Sequence, residues 1–331
     1  MTVKTLDELR GLTCRVLANA NTSPGNAAAV ADALVAAEAD GMPSHGMSRL
    51  VAYAGQAASG KVDGQAVPEL SQPKPAVIKV DARSGFAYPA MNMGLDTAID
   101  VAPEVGAVAV GIANSHHSGV AGHPVERLAR AGLIGLFFCN GPAGLAPWQG
   151  NRALYGTNPM AFACPVEGRE PLVIDLSLSK VARGKVKLAA DRGEPIPEGW
   201  AVDAEGKPTT DAAAGMAGWM VPAGDAKGAA LALVVELLAA GLTGSCFGFE
   251  ASSFFTAEGA PPNVGQFFLV LDPEAFGGPV TAERIATLIQ AIDEQPDTRI
   301  PGQRRFELRA KAHAEGVDVP DGLLGQLEAM A

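Results

Sequence analysis

The chain has 331 residues, 48% apolar and 18% charged, a length and composition that fit about two lobes around a real core and exclude disordered and fibrous classes. Its 25 basic and 36 acidic residues leave a net charge of −11, which repels nucleic acid and anionic lipid, so any anionic ligand must meet a local basic cluster. Four cysteines at unrelated spacings (Cys14, Cys139, Cys164, Cys246) and ten opening residues that carry charge throughout offer neither a disulfide framework nor a signal peptide, so a reduced, cytoplasmic protein is expected.

The first seventy residues read as helices. Thr5-x-x-Glu8 is a capping box before Leu6, Leu9 and Val16, and Ser23-Pro24 opens an Ala-rich helix that Gly41 ends. After a stretch punctuated by Pro and Gly (67–75), short β-branched runs follow at 76–81, 107–113, 134–139, 172–175 and 267–272, with helical patterns at 123–131 and 226–240 between some of them. The Gly228 to Gly244 stretch, interrupted by Glu236, is too short to span a bilayer and reads as a buried helix. The last fifty residues return to amphipathic helices, so an α/β fold with one central sheet inside a helical envelope is expected. The expected division is 1–72 and 279–331 as helical parts of one lobe, with 73–278 as the sheet-bearing lobe.

No two glycines are two residues apart, so the G-x-G-x-x-G loop of a Rossmann fold is absent, and there is no G-K-[ST] loop either. Chemistry is better sought at the histidines. His45, in Pro43-Ser-His-Gly-Met-Ser-Arg49, reads either as a general acid/base held by Ser44 or as a capping histidine; Arg49, four residues on, reads either as a carboxylate fork or as a surface arginine. His116, His117 and His123 lack the thiolates or close carboxylates of a metal site, Glu126 excepted, so no metal is expected. The flanking Gly119 and Gly122 fit a loop whose backbone donors approach an anion at the next helix N-terminus. Lys180, Arg183, Lys185 and Lys187 form a basic cluster that suits either an anion or a solvated helix face, and Lys227 opens an apolar helix at its positive end.

Nine ordered segments resemble the type-2 malate/L-lactate dehydrogenase superfamily of NAD(P)-dependent oxidoreductases: Ser44-His-Gly-x-x-Arg49 with Tyr53, Asn114-Ser-His-His117, Ala146-Pro-Trp-Gln-Gly150, Tyr155-Gly-Thr-Asn-Pro159, Ile174-Asp-Leu-Ser177, Ala182-Arg-Gly-Lys185, Ile196-Pro-Glu-Gly-Trp200, Asp225-Ala-Lys-Gly228 and Ile300-Pro-Gly302. The resemblance implies an atypical, non-Rossmann mixed sheet that binds NAD or NADP, a small carboxylate substrate and a homodimer. It implies His45 as proton donor and acceptor with Ser44 as relay, and Arg49, Tyr53, Thr157, Arg183, Gly184 and Lys185 at the substrate. The cofactor would be held by His117, Ser118, Gly119, Val120 and Ala121, by Asp175, Leu176 and Ser177, by Asp225, Ala226 and Lys227, and by Arg299, Gly302, Arg304 and Arg305. Members act on malate, lactate, sulfolactate, ureidoglycolate or the cyclic ketimines piperideine- and pyrroline-2-carboxylate. The ketimine branch has an aspartate where this chain has Lys185, which, with Arg183, leans the expectation toward a hydroxy acid bearing a second anion.

Overall fold

The computed structural model describes all 331 residues. In chain order it runs β1 (Thr2–Lys4), α1 (Leu6–Asn19), α2 (Pro24–Ala39), two 3-10 turns (Pro43–His45, Met47–Arg49) and α3 (Leu50–Ser59), then β2 (Glu69–Lys74), β3 (Val77–Asp81), α4 (Ala87–Val105) and β4 (Ala107–Ser115). There follow α5 (Gly122–Arg130), β5 (Ile134–Cys139), β6 (Met160–Cys164), β7 (Leu172–Leu176), α6 (Arg183–Arg192), β8 (Ala201–Val202), β9 (Pro208–Thr209), α7 (Ala212–Ala217) and β10 (Trp219–Met220). The chain closes with α8 (Asp225–Glu236) and a π turn (Leu237–Gly241), β11 (Val264–Leu271), α9 (Pro273–Phe276), α10 (Pro279–Asp293), α11 (Gln303–Glu315), β12 (Val317–Val319) and α12 (Asp321–Met330). No helix is long and apolar enough to cross a membrane.

Local chemistry sets the helix starts. The Thr5 hydroxyl and the Glu8 carboxylate satisfy each other's backbone amides at α1, and Ser23 caps α2 with Pro24 in its first turn. Gly41, at φ +70°, lies just past the end of α2 in the left-handed region glycine favours.

Seven strands form the main sheet in the order β2-β3-β4-β11-β5-β6-β7. Only β3 and β4 run parallel; every other pairing is antiparallel, so this is a mixed sheet of the expected non-Rossmann kind. Alternation along β4 separates the faces. Val110 meets α4 at Gly94, whereas its neighbour Gly111 faces Thr243 beyond the π turn. The main core joins α1 to α5 with one face, through residues such as Leu9, Val30, Tyr53, Leu95, Val110, Val125, Phe137 and Phe268. A second core of Leu145, Leu178, Val186, Ile196, Met220, Val235 and Ala239 packs the α6 to α8 region. The chain ends close the helical envelope: β1 pairs with β12, and α11 and α12 pack on α2 and α1.

Four expectations need correction. The Pro-rich 67–75 stretch contains β2, an exposed edge strand whose register breaks around Pro73, where a missing amide is tolerated. β6 lies in the short Met-Ala-Phe-Ala-Cys run that follows Asn158-Pro159, and α4 carries Pro89 in its first turn and Pro103 near its end; neither had a clear periodic signal. The 228–244 helix is not buried, because Leu231, Leu233, Val234, Leu237 and Leu242 are 41–65% exposed along it. The anion at the N-terminus of α5 is the chain's own, as described next.

Candidate active site

The two 3-10 turns between α2 and α3 place His45 and Arg49 at their ends, so their spacing comes from paired tight turns. The Glu38 carboxylate accepts the Met47 amide at 2.6 Å and packs over Gly46, where a Cβ would lie 2.5 Å from its Oε1. The Ser44 hydroxyl lies 3.1 Å from His45 Nδ1, and Arg49 Nε donates to the Ser44 carbonyl at 2.8 Å.

Beneath them, the Tyr53 hydroxyl lies 2.6 Å from His117 Nδ1 and 3.2 Å from the Tyr88 hydroxyl. The His117 ring stacks on His45 with centroids 5.6 Å apart. Tyr53 is wholly buried, its hydroxyl engaged by His117 and Tyr88. Burial, with Arg49 and then His123 adding positive charge, pushes His45 down to about 4; burial pushes His116 to about 3 and His117 well below the usual imidazole range. All three imidazoles are neutral at pH 7.

Two arginines stand near Ser44 without an ion pair. Arg49 is buried, its Nη1 has no hydrogen-bond partner, and its guanidinium lies under Phe255 at 4.6 Å from the ring centroid. Arg183 opens α6 and donates to the carbonyls of Ala143 (2.7 Å) and Met216 (3.3 Å). Burial lowers the pKa of both arginines. A Cβ on Gly184 would lie 3.8 Å from Ser44 Cβ, which puts the start of α6 beside the Ser44–His45 turn. Thr157 Cγ2 and Arg183 Nη1 lie 3.6 and 3.3 Å from the position a Cβ on Gly144 would take, so Thr157 joins this cluster. Lys185 is exposed, with neither an ion pair nor a side-chain hydrogen bond.

The residues expected at the cofactor divide into two groups. In the first, His117 to Ala121 lead into α5, with Gly119 at φ +70° and pressed on the Tyr88 hydroxyl. Asp175 accepts the Gly122 amide at 2.8 Å and Arg305 Nη2 at 3.2 Å. The positive end of α5 is therefore already met by Asp175, which corrects the expectation of an external anion there. Arg305 also pairs with Asp40, yet its buried Nη1 has no partner. The Ser177 hydroxyl bonds to Ser179 at 2.7 Å, while Leu176 is 41% exposed. Gly302, at φ +85°, brings its backbone against Val173, where a Cβ would sit 2.7 Å from the carbonyl. The second group lies at the surface: Asp225, Ala226 and Lys227 follow the left-handed Gly224 (φ +74°), Asp225 itself has φ +55°, and Arg299 and Arg304 are exposed.

His116, His117 and His123 do not converge. His123 Nε2 lies 2.9 Å from Asp40, which is shared with Arg309, and His116 sits among Tyr53, Phe86 and Phe254. Sequence reasoning gave no structural role to Glu236, whose buried carboxylate accepts Asn140 (3.0 Å), Asn158 (2.6 Å) and the Gly248 amide (2.6 Å) and so braces the loop carrying Thr157. A lone acid in an apolar helix was the available signal. Tyr88 and Lys61 gave none. A cavity of about 550 Å³ runs among α1, α2, α4, α5 and α11 and touches Tyr88 and Ser118 but not His45, Arg49 or His117.

A family model described as malate/L-lactate dehydrogenase matches residues 5–328. The (2R)-3-sulfolactate dehydrogenase (NADP(+)) of Chromohalobacter salexigens is 58% identical over 303 residues, 91% of this chain and 90% of that protein. The Δ1-pyrroline-2-carboxylate/Δ1-piperideine-2-carboxylate reductase of Pseudomonas aeruginosa is 39% identical over 98% of both chains. The crystal structure of Δ1-piperideine-2-carboxylate reductase from Pseudomonas syringae pvar. tomato superposes over 100% of both chains with a TM-score of 0.95 at 36% identity.

Proposed function

The chain belongs to the malate/L-lactate dehydrogenase family, and from that premise we propose that it is an NADP-dependent dehydrogenase acting at C2 of a small 2-hydroxy acid with a second anionic group, 3-sulfolactate being the first substrate to test. The observation that carries this reading is the pair of arginines, buried Arg49 and half-buried Arg183, that stand near Ser44–His45 with no acid partner. A buried cation without a counterion is costly, and a dianionic substrate supplies both counterions.

In this reading Arg49 grips the carboxylate through its planar fork, and Arg183, its guanidinium already oriented by two carbonyls, meets the sulfonate or second carboxylate. Thr157 and Gly184 line the space between. Neutral His45, its Nδ1 held by Ser44, takes the hydroxyl proton through Nε2 during oxidation and returns it to the carbonyl oxygen during reduction. The residues present fit a dinucleotide: the unpartnered Nη1 of Arg305 suits a phosphate, and Asp175 offers a carboxylate to a ribose hydroxyl. Arg299, Arg304 and the start of α8 would complete that hold. The nicotinamide supplies or accepts the hydride at C2 when bound.

The alternative is a ketimine reductase, favoured by the similarity to the two Pseudomonas reductases and opposed by Lys185. Turnover of 3-sulfolactate, malate, lactate and piperideine-2-carboxylate with NADP(H) and NAD(H), followed by nicotinamide absorbance, tests both readings. Preference for the cyclic imine would overturn the hydroxy-acid assignment.

The reading includes a homodimer, supported by the exposed Leu231, Leu233, Val234 and Leu237 face of α8 and its π turn, and a reducing cytoplasm, supported by four free cysteines. It also takes 1–72 with 279–331 as one lobe and 73–278 as the other.

A further inference from the structure

Lys61 follows α3 and is 3% exposed, yet no carboxylate pairs with it. Its ammonium donates instead to three backbone carbonyls, of Ser253 at 2.7 Å, Thr256 at 3.0 Å and Glu258 at 2.8 Å. All three donors of one cation are thus committed to a single loop. Two neighbours from α3 reinforce the hold, Gln56 donating to the Thr256 carbonyl at 3.0 Å and Ser59 to the Ala257 carbonyl at 2.9 Å. The loop delivers two aromatic rings to the active site. Phe254 lies 5.1 Å from His117 and 5.3 Å from His116, and Phe255 covers the Arg49 guanidinium.

Arg49 is held by a single hydrogen bond at Nε, and its Nη1 has no partner. The orientation of the guanidinium plane therefore depends on the ring that covers it. We infer that Lys61 is a positioning residue for substrate binding: by gathering the 253, 256 and 258 carbonyls it seats Phe255 on Arg49 and Phe254 on His117, and so fixes the plane in which the guanidinium meets a carboxylate. The inference rests on the reading of Arg49 as the carboxylate-binding group. Because the wall acts at the carboxylate end, loss of Lys61 weakens every 2-oxo acid alike, whatever its second substituent.

The test is a double-mutant cycle in the full-length enzyme, with KM and kcat measured for 3-sulfopyruvate and pyruvate at saturating NADPH. Lys61→Met and Phe255→Ala should each raise KM for both substrates about 3- to 30-fold, the range of a partly desolvated cation–π contact, with kcat within about threefold. The double variant should be no worse than the worse single variant. A folded K61M with wild-type KM, or effects that multiply in the double variant, overturns the inference. Should K61M not fold, Phe255→Leu alone decides, since a wild-type KM there means the ring does not govern Arg49. Arg49→Lys separates the two claims. An unchanged KM in R49K removes the carboxylate reading and this inference together, whereas a raised KM in R49K beside an unchanged KM in K61M removes the inference only.

Discussion

Ser44 Oγ sits 3.1 Å from Nδ1 of His45, so the serine engages one ring nitrogen and leaves Nε2 as the atom that exchanges a proton. His45→Ala is expected to lower kcat by about 10²- to 10⁴-fold, the usual contribution of a positioned acid/base, while NADPH still binds. Activity assays paired with a fluorescence titration of NADPH check both halves. Near-normal turnover between pH 6 and 9 would remove His45 from the mechanism.

The depressed pKa of His45 fixes the shape of the pH profile. At about 4 it lies below the usual 6.5, so the imidazole is already the free base across the neutral range. In the oxidation direction, kcat/KM should therefore show no His45 limb between pH 6 and 9 and should fall only toward pH 4. Reduction needs the protonated ring, and an anion bound at Arg49 offsets that positive charge and raises the pKa. The acid form then persists to higher pH in the substrate complex than in the free enzyme. An oxidation limb centred near 6.5 would contradict the depressed pKa of His45.

His116 has both ring nitrogens buried without partners, and its pKa of about 3 lies below the value in the unfolded chain. The unfolded state thus binds a proton that the native state refuses, and stability falls as pH drops below about 6.5, by up to about 2 kcal/mol at pH 5. His116→Leu should lose less Tm than the wild type between pH 8 and pH 5. Parallel Tm curves for the two proteins would show that His116 finds a partner in solution.

Arg183 and Lys185 make separable contributions. Arg183→Met should reduce kcat/KM for 3-sulfolactate over lactate by roughly 10- to 150-fold, the worth of a charge-assisted hydrogen bond of about 1.5–3 kcal/mol. Lys185 is exposed and unpaired, so Lys185→Asp should cost dianionic substrates less than Arg183→Met does, and monoanionic imines least of all. Equal losses for all substrates in both variants would reject a second-anion site.

Leu237 is 53% exposed on the apolar face that continues from α8 into the π turn. Leu237→Glu places a charge in the middle of that face and should shift the protein to a monomer in sedimentation velocity, with secondary structure unchanged. A variant with wild-type sedimentation would place the dimer contact elsewhere.

Much of the fold was legible because its signals are local. The Thr5–Glu8 box and the Ser23 cap satisfy themselves within a few residues, and the apolar runs that became β3, β4, β5, β7 and β11 carry their burial pattern within a few residues even where their partners are distant. β2 and α4 were hidden by prolines that an edge strand and a helix's first turn tolerate. The exposure of α8 could not be read from its composition, since an apolar helix looks alike whether it packs on its own sheet or offers one face outward. At the active site, the turn bearing Ser44, His45 and Arg49 was visible as a motif. What the sequence concealed was long-range: Asp175 filling the end of α5, Tyr53 beneath His117, and Lys61 reaching across nearly two hundred residues to the loop at 253.

β11 lies between β4 and β5, pairing with both, although it is made long after them. Until Val264–Leu271 leaves the ribosome, the β2–β4 and β5–β7 halves are two separate sheets, each with an open apolar edge where the other should begin. Folding is thus a late insertion with a large loop to close, the kind of topology that slows the search and leaves sticky edges waiting. A ribosome stalled before residue 264 should display a nascent chain that is protease-sensitive and bound by chaperones, and release of the next ten or so residues should join the two half-sheets into one.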